Sequence, residues 1–308
     1  MSNKIGALMA EDNISIAWWN TSVSPSSARD RSEESFLFAL DLIVKMLLNY
    51  KIDIFCLGEL SPKNILKVQE LFSPLGFLVY DGSFNEGRVK HDLCVIINGG
   101  KFQYVYGKSI SEQTLHGLIR AGQEIKITHL KSQIDMFIYL SHWPSRSHDA
   151  PENATKRYVL GSTLRSAVKR CIDEEGAEYI ILLGDYNDDP FNESITDGIG
   201  ATRDKNLAIK KEGFLYNPFW RFMGHVRNKV SRKGNACISG TYYYKSGTMT
   251  KWYTFDQIMF SSSFISNKEW SLVEDKVSII LDDDIIDAVI NPNESFDHLP
   301  VFAEIEVR

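Results

Sequence analysis

The sequence predicts an α/β protein made of two packed sheets with helices outside, and three observations predict it. Roughly ten apolar runs have the length and composition of strands. They alternate irregularly with a few long helical patterns, the mixed order expected when two sheets pack together and helices cover their outer faces. No internal repeat, low-complexity tract or Pro/Gly/Ser linker divides the 308 residues, so a single domain over 1–308 is expected.

The elements follow in order. "NISIAWWN" (13–20) reads as a short apolar strand ending on Asn20. "SEESFLFALDLIVKMLLNY" places Phe36, Leu40, Ile43, Val44, Leu47 and Leu48 on one helical face, with Ser32 as N-cap and Glu33 and Glu34 in the favourable first turn. "IDIFCLGEL" is a buried strand that reaches a polar tip at Glu59. A second helix is expected over about 62–72, and the spacing of "GFLVYD", "DLCVIING" and "KFQYVYG" suggests three neighbouring strands. "QEIKITHL" and "IDMFIYLSHW" read as a hairpin through 131–133. Residues 152–176 are helical in pattern, with Tyr158, Leu164, Val168 and Ile172 toward the core and Lys156, Arg157, Arg165, Lys169 and Arg170 on the polar side. "YIILLGD" (179–185) is the next buried strand, 195–250 is weakly patterned and loop-rich, and "YTFDQIMFS" and "LPVFAEIEV" supply two further strands.

Composition narrows the function classes. A hydrophobic content of 44% supplies a sizeable core without staples. The net charge of −6 and pI of 5.7 exclude broad electrostatic capture of nucleic acid or acidic membrane, so any polyanion site must be local. Cys56, Cys94, Cys171 and Cys237 form no C-x-x-C pair and read as reduced thiols. Neither a signal-peptide pattern nor a run of about 18 apolar residues is present, so a cytoplasmic protein without a membrane anchor is expected.

The chemistry-bearing residues recur at strand ends. Asn20, Glu59, His142, Asp185, Asn187, Asp256, Asp297 and His298 all stand at or beside the end of an apolar run. A rigid sheet can aim such side chains while loops leave room for substrate. Each residue alone has a plainer reading: Asn20 as a turn cap, Glu59 as a solvated strand end, "GDYNDD" as an Asp/Asn turn, His142 as a packed loop histidine. Asp256 is harder to explain away. An unpaired carboxylate inside an apolar strand costs several kcal/mol, so it needs a partner such as a histidine.

The ordered set "WWN", "LGEL", "SHW", "GDYND", "FDQI" and "FDHLPV" resembles the endonuclease/exonuclease/phosphatase superfamily over residues 14–307. "GDYND" and "FDHLPV" are its specific pieces, with Phe296 where that family usually has Ser. The resemblance implies a four-layer α/β/β/α sandwich of two mixed sheets and in-line, metal-assisted hydrolysis of a phosphate ester. Glu59 would be the principal Mg²⁺ ligand, with Asn20 and Asp297 near the same ion or its waters and Mn²⁺ as a substitute. Asp185 would orient or deprotonate the attacking water, and Asn187 would hold that base or donate to the phosphate. His298, paired with Asp256, would face the phosphate as a cation, and His142 would supply a second imidazole. Asp92 is offered as the acidic partner of His142.

The substrate is less constrained. Arg146, four residues after His142, is expected near the scissile or a neighbouring phosphate. The stretch 220–234 interleaves Arg227, Lys229 and Arg232 with aromatics, a pattern suited to a nucleic-acid backbone, although a solvated loop is the plainer alternative. A Mg²⁺-dependent nuclease acting on DNA is the first expectation. A phosphatase or phosphodiesterase acting on a small-molecule or lipid phosphate, inositol-phosphate or sphingomyelin-like, is second, and a binding scaffold with lost activity is third.

Overall fold

The computed structural model describes residues 13–308 apart from 26–30, 87–88, 115–116, 147–150, 232–233, 267 and 292. Arg232 therefore lies outside the described residues. Two seven-stranded mixed sheets dominate. In the first, Ile14–Asn20 sits at the centre, parallel to Ile54–Gly58 and antiparallel to Val301–Val307. In the second, Tyr179–Asp185 is central, parallel to Asp135–His142 and antiparallel to Asp256–Ser261. The two sheets pack face to face with helices outside, as expected.

The central strand of the second sheet shows why the layers stack. All seven of its residues are buried, and their alternation feeds two cores. Ile181 and Leu183 join the large core shared with the first sheet, while Ile180 and Leu182 join a second core under α3 (Pro151–Glu175), which contributes Leu160, Leu164 and Val168. Each such fully buried aliphatic side chain contributes about 2 kcal/mol. On the first sheet, α1 (Glu33–Tyr50) is capped by Ser32, whose hydroxyl accepts from the Ser35 N–H, and α2 (Pro62–Phe72) is capped by Ser61.

Several expectations change in the tertiary context. Leu48 is exposed, and Ala39, Leu42 and Met46 complete the buried face of α1 instead. "KFQYVYG" does not join the first sheet: Phe102–Thr114 pairs with Gly117–His129 and extends the second. The Gly117–His129 and Asp135–His142 strands do pair antiparallel, as read. On α3, Tyr158 is exposed and Arg157 is buried, the reverse of their expected places, because Arg157 reaches inward to Asp188 at 2.9 Å. The loop-rich 195–250 region holds short elements, among them α4 (Lys205–Lys210) and the Arg227–Ser231/Gly234–Ile238 hairpin, while α5 (Asp283–Ile290) follows later. All four cysteines are free. Among the described residues no helix is long and apolar enough to cross a membrane.

Candidate active site

Three adjacent strand positions form the floor of the site. Asp185 pairs in register with His142 on one side and Asp256 on the other, so the three side chains stand in one row at one edge of the second sheet. From the first sheet, Asn20 ends the central strand and Glu59 follows its neighbour Ile54–Gly58. Asp297 and His298 arrive from the loop before the last strand, where His298 forms a bridge with Tyr242. The eight residues read as a catalytic set thus come from both sheets to one place.

Gly184, just before Asp185, must be glycine for packing. A Cβ there would lie 1.9 Å from the Ser141 carbonyl oxygen on the neighbouring strand. It is a packing requirement of the floor. By contrast, Ser22, Glu59 and Asn187 all adopt left-handed backbone, with φ of 55°, 57° and 50°. Non-glycine residues occupy that region at a cost of about 1–3 kcal/mol each, and such positions concentrate where function demands an aimed side chain.

Asp185 is the hub. Its Oδ1 accepts from the Asn187 backbone N–H at 2.9 Å, and its Oδ2 accepts from Asn20 Nδ2 and Asn187 Nδ2, each at 3.2 Å. Asn187 is itself held by the Trp143 carbonyl at 2.8 Å. Both imidazoles aim Nε2 at the same Oδ2, His298 from 3.7 Å and His142 from 3.8 Å. Those separations are too long for direct hydrogen bonds, which leaves both ring N–H groups for an oxygen placed between them. Burial pushes the Asp185 carboxyl up, with Asp256 adding to the rise, and the two imidazoles pull against it.

The histidines are oriented from behind. His298 Nδ1 lies 2.8 Å from Asp256 Oδ2, and His142 Nδ1 lies 3.0 Å from Asp92 Oδ1, so the partner guessed for His142 is the one it has. Burial disfavours charge on both rings, but their carboxylates outweigh it. His142 is pushed up to about 10 by Asp92, Glu59 and Asp185, and His298 is raised well above the ordinary histidine range by Asp256 and Asp185. In both, the neighbouring carboxylates favour the protonated ring.

Glu59 is a largely buried carboxylate with few close polar neighbours among the described residues. Burial raises its carboxyl to about 7, with Asp92 and Asp297 adding to the rise against His142 and His298, and its Oε1 receives only a long 3.4 Å contact from Asn20 Nδ2 and a 3.7 Å approach of His142. Glu59 and Asp297 line the same cavity and offer hard carboxylate oxygens, the donor type that a divalent cation such as Mg²⁺ takes. Asn20 sits beside Glu59, its Nδ2 3.4 Å from Glu59 Oε1. Its Oδ1 accepts from the Ser22 N–H at 3.0 Å, so its amide acts as a donor strap between Glu59 and Asp185. Asp297 is held by the Ser22 hydroxyl at 2.7 Å. Among the described residues, the acid and imidazole groups whose atoms lie within 4.8 Å of one another are Asp185–Asp256–His298 and Glu124–Cys171–Glu175. In the first, His298 is hydrogen-bonded to Asp256 and lies 3.7 Å from Asp185, and Lys108 and Lys126 neutralise the second.

These groups open into a cavity of about 550 Å³ that is also lined by Arg31, Arg120, Lys156, Leu118, Trp143 and Tyr242. The expected substrate-contacting cations fare differently. Arg146 is bound to Asp188 Oδ1, the Asn187 carbonyl and Asn192 Oδ1, all within 3.2 Å, and its guanidinium lies 4.7 Å from the Phe255 ring centroid. It braces the acidic turn. Asp188 and Asp189, read as a plain turn, are anchors: Asp188 also binds Arg157, and Asp189 accepts from the Thr254 N–H at 2.8 Å. Arg227 stacks over Phe222 and Lys229 pairs with Asp283 at 3.3 Å, and neither lines the cavity. Sequence reasoning missed Arg31, Arg120 and Lys156, which carried no motif, and also Ser22 and Trp18.

Comparisons with known proteins bear on the family and the fold. The sequence profile described as "Endonuclease/Exonuclease/phosphatase family" matches residues 79–292. No curated protein matches the sequence. Among solved structures, the human Nocturnin catalytic domain with bound sulfate is 15% identical, with 96% of this chain and 95% of that chain covered and a TM-score of 0.62. TDP2 from D. rerio, complexed with a single strand DNA product, is 14% identical, with 96% and 100% covered and a TM-score of 0.61. ANGEL2, a 2',3'-cyclic phosphatase in complex with adenosine-2',3'-vanadate, is 13% identical, with 97% of each chain covered and a TM-score of 0.62. At these identities the likeness is one of fold. With the profile spanning more than half of its length, the chain belongs to the endonuclease/exonuclease/phosphatase family of phosphoric ester hydrolases.

Proposed function

We propose that this protein is a Mg²⁺-dependent phosphodiesterase acting on nucleic acid, DNA first, as a cytoplasmic enzyme of one catalytic domain. The observation that carries the reading is the convergence of two imidazole Nε2 atoms, at 3.7 and 3.8 Å, on one buried carboxylate oxygen of Asp185 at the floor of an open cavity. That arrangement suits an anionic, tetrahedral oxygen cluster better than any neutral ligand.

Each side chain then has a task. Asp185 accepts the proton of the attacking water, its raised proton affinity suiting it to that role. Asn20 and Asn187 hold its oxygens, so that it turns toward the water without reorganisation. Protonated His142 and His298 donate to non-bridging phosphate oxygens and offset the charge that grows on them. Glu59 and Asp297 would hold the Mg²⁺, which when bound polarises the phosphoryl group and stabilises the leaving oxyanion. Mn²⁺ satisfies the same oxygen donors.

Support for nucleic acid comes from Arg31, Arg120 and Lys156 around the cavity and from the DNA product bound by the TDP2 relative. The second reading, a small or lipid phosphate, draws on the cavity's limited volume and on the Arg227–Ile238 hairpin, whose described cations lie elsewhere. A substrate panel decides between them: plasmid and single-stranded DNA, RNA, bis-p-nitrophenyl phosphate, inositol phosphates and sphingomyelin, each with Mg²⁺ and with EDTA. Cleavage of nucleic acid that EDTA abolishes is expected. Turnover of small or lipid phosphates alone moves the assignment to the second reading, and EDTA-resistant cleavage overturns the metal role.

A further inference from the structure

We infer that Trp18 is a positioning residue for His298, acting across the two sheets through Asp256. The stretch Trp18-Trp19-Asn20 puts three consecutive side-chain N–H donors on the site. Trp18 Nε1 donates to Asp256 Oδ1 at 2.7 Å, Trp19 Nε1 donates to the His298 carbonyl at 3.1 Å, and Asn20 Nδ2 donates to Asp185 Oδ2 at 3.2 Å. Strand alternation sends Trp18 and Asn20 toward the second sheet and Trp19 to the opposite face, where it stacks on Phe296.

Asp256 is wholly buried and its two oxygens are divided between two partners: Oδ1 takes the indole of Trp18, and Oδ2 takes His298 Nδ1. A carboxylate with one oxygen pinned cannot rotate its other oxygen away from the imidazole. The indole hydrogen bond therefore fixes the ring direction that brings His298 Nε2 to within 3.7 Å of Asp185. The surrounding packing supports this use of a large ring. Trp18 is fully buried, and it lies over Gly58, where a Cβ would meet the ring at 2.8 Å. Gly58 leaves the room that the indole needs to reach across to the other sheet. A phenylalanine at 18 would fill much of that space but leave Asp256 Oδ1 buried without its donor.

The inference rests on the catalytic reading of His298 for its activity readout but not for its structural one. The experiment replaces Trp18 with Phe and, separately, with the isosteric β-(3-benzothienyl)alanine, which keeps the ring shape and lacks the N–H. Trp270→Phe, another fully buried tryptophan remote from these hydrogen bonds, is the packing control. In ¹⁵N-His-labelled protein, the His298 Nδ1 proton resonance is expected to shift or broaden in both Trp18 variants and to stay in place in the control. On the substrate found in the panel, kcat is expected to fall ~10-fold at nearly constant KM. An unmoved His298 resonance in the benzothienyl variant overturns the inference, whatever the activity. A moved resonance with unchanged kcat also overturns it, since the hydrogen bond would then be structural. Lack of any hydrolysis in the unmodified protein is a failure of the functional reading and leaves the resonance to decide.

Discussion

The two histidine–carboxylate pairs flank Asp185 at nearly equal distances, yet they are built differently. Asp256, behind His298, is fully buried in a strand, with its oxygens held by Trp18 and His298 and its backbone N–H donating to the Thr241 hydroxyl. Asp92, behind His142, precedes a strand, and its Oδ2 is buried without a hydrogen-bond partner among the described residues. His142 is correspondingly the less enclosed ring, with 12% of its side chain exposed against 6% for His298. The difference teaches that the carboxylate behind His298 has both oxygens hydrogen-bonded, whereas the one behind His142 has a hydrogen-bond partner on only one, among the described residues.

The comparison can be broken or sharpened by substitution. Asp185→Ala removes the hub that both rings share, and activity is expected to fall by about 10⁴-fold or to background, measured as initial rates under saturating substrate and Mg²⁺. Asp256→Asn should cost about 10²–10³-fold in kcat, because the amide no longer stabilises a cationic His298. It should also lower thermal stability measurably, since a buried hydrogen-bonded network loses its charge complement. Asp92→Asn should cost about 10-fold with a larger share in KM, because His142 loses one contact of a looser pair. If Asp92→Asn proves as damaging as Asp256→Asn, the asymmetry is wrong. Smallest of all, Arg227→Ala with Lys229→Ala should leave both kcat/KM and the salt dependence of nucleic-acid binding within about twofold, since those cations are committed to Phe222 and Asp283. A flattened salt slope would restore the hairpin to the substrate interface.

Legibility followed the range over which each signal is local. The strands ending on Asn20, His142 and Asp185 were readable because an apolar run followed by a carboxylate, amide or imidazole is a contiguous pattern. The need of Asp256 for a partner was readable too, since a carboxylate inside "TFDQIMF" demands one on desolvation grounds alone. Arg146 was not readable. Its closeness to His142 in sequence suggested the phosphate, but the guanidinium finds Asp188 and Asn192 across a turn, and a nearer carboxylate outcompetes a more distant site. Arg157 and Tyr158 exchanged their expected places for the same reason: helical periodicity cannot foresee a buried acid on another element.

By itself, the sequence determined the two-sheet architecture, the order of the chemistry-bearing residues and their placement at strand ends, because alternation and run length are properties of contiguous chain. Register between strands, the left-handed backbone that aims Glu59 and Asn187, the reach of Trp18 from one sheet to Asp256 in the other, and the choice of which cations line the cavity were decided only by the tertiary structure. Each of these depends on a partner far away in the chain, and only packing selects it.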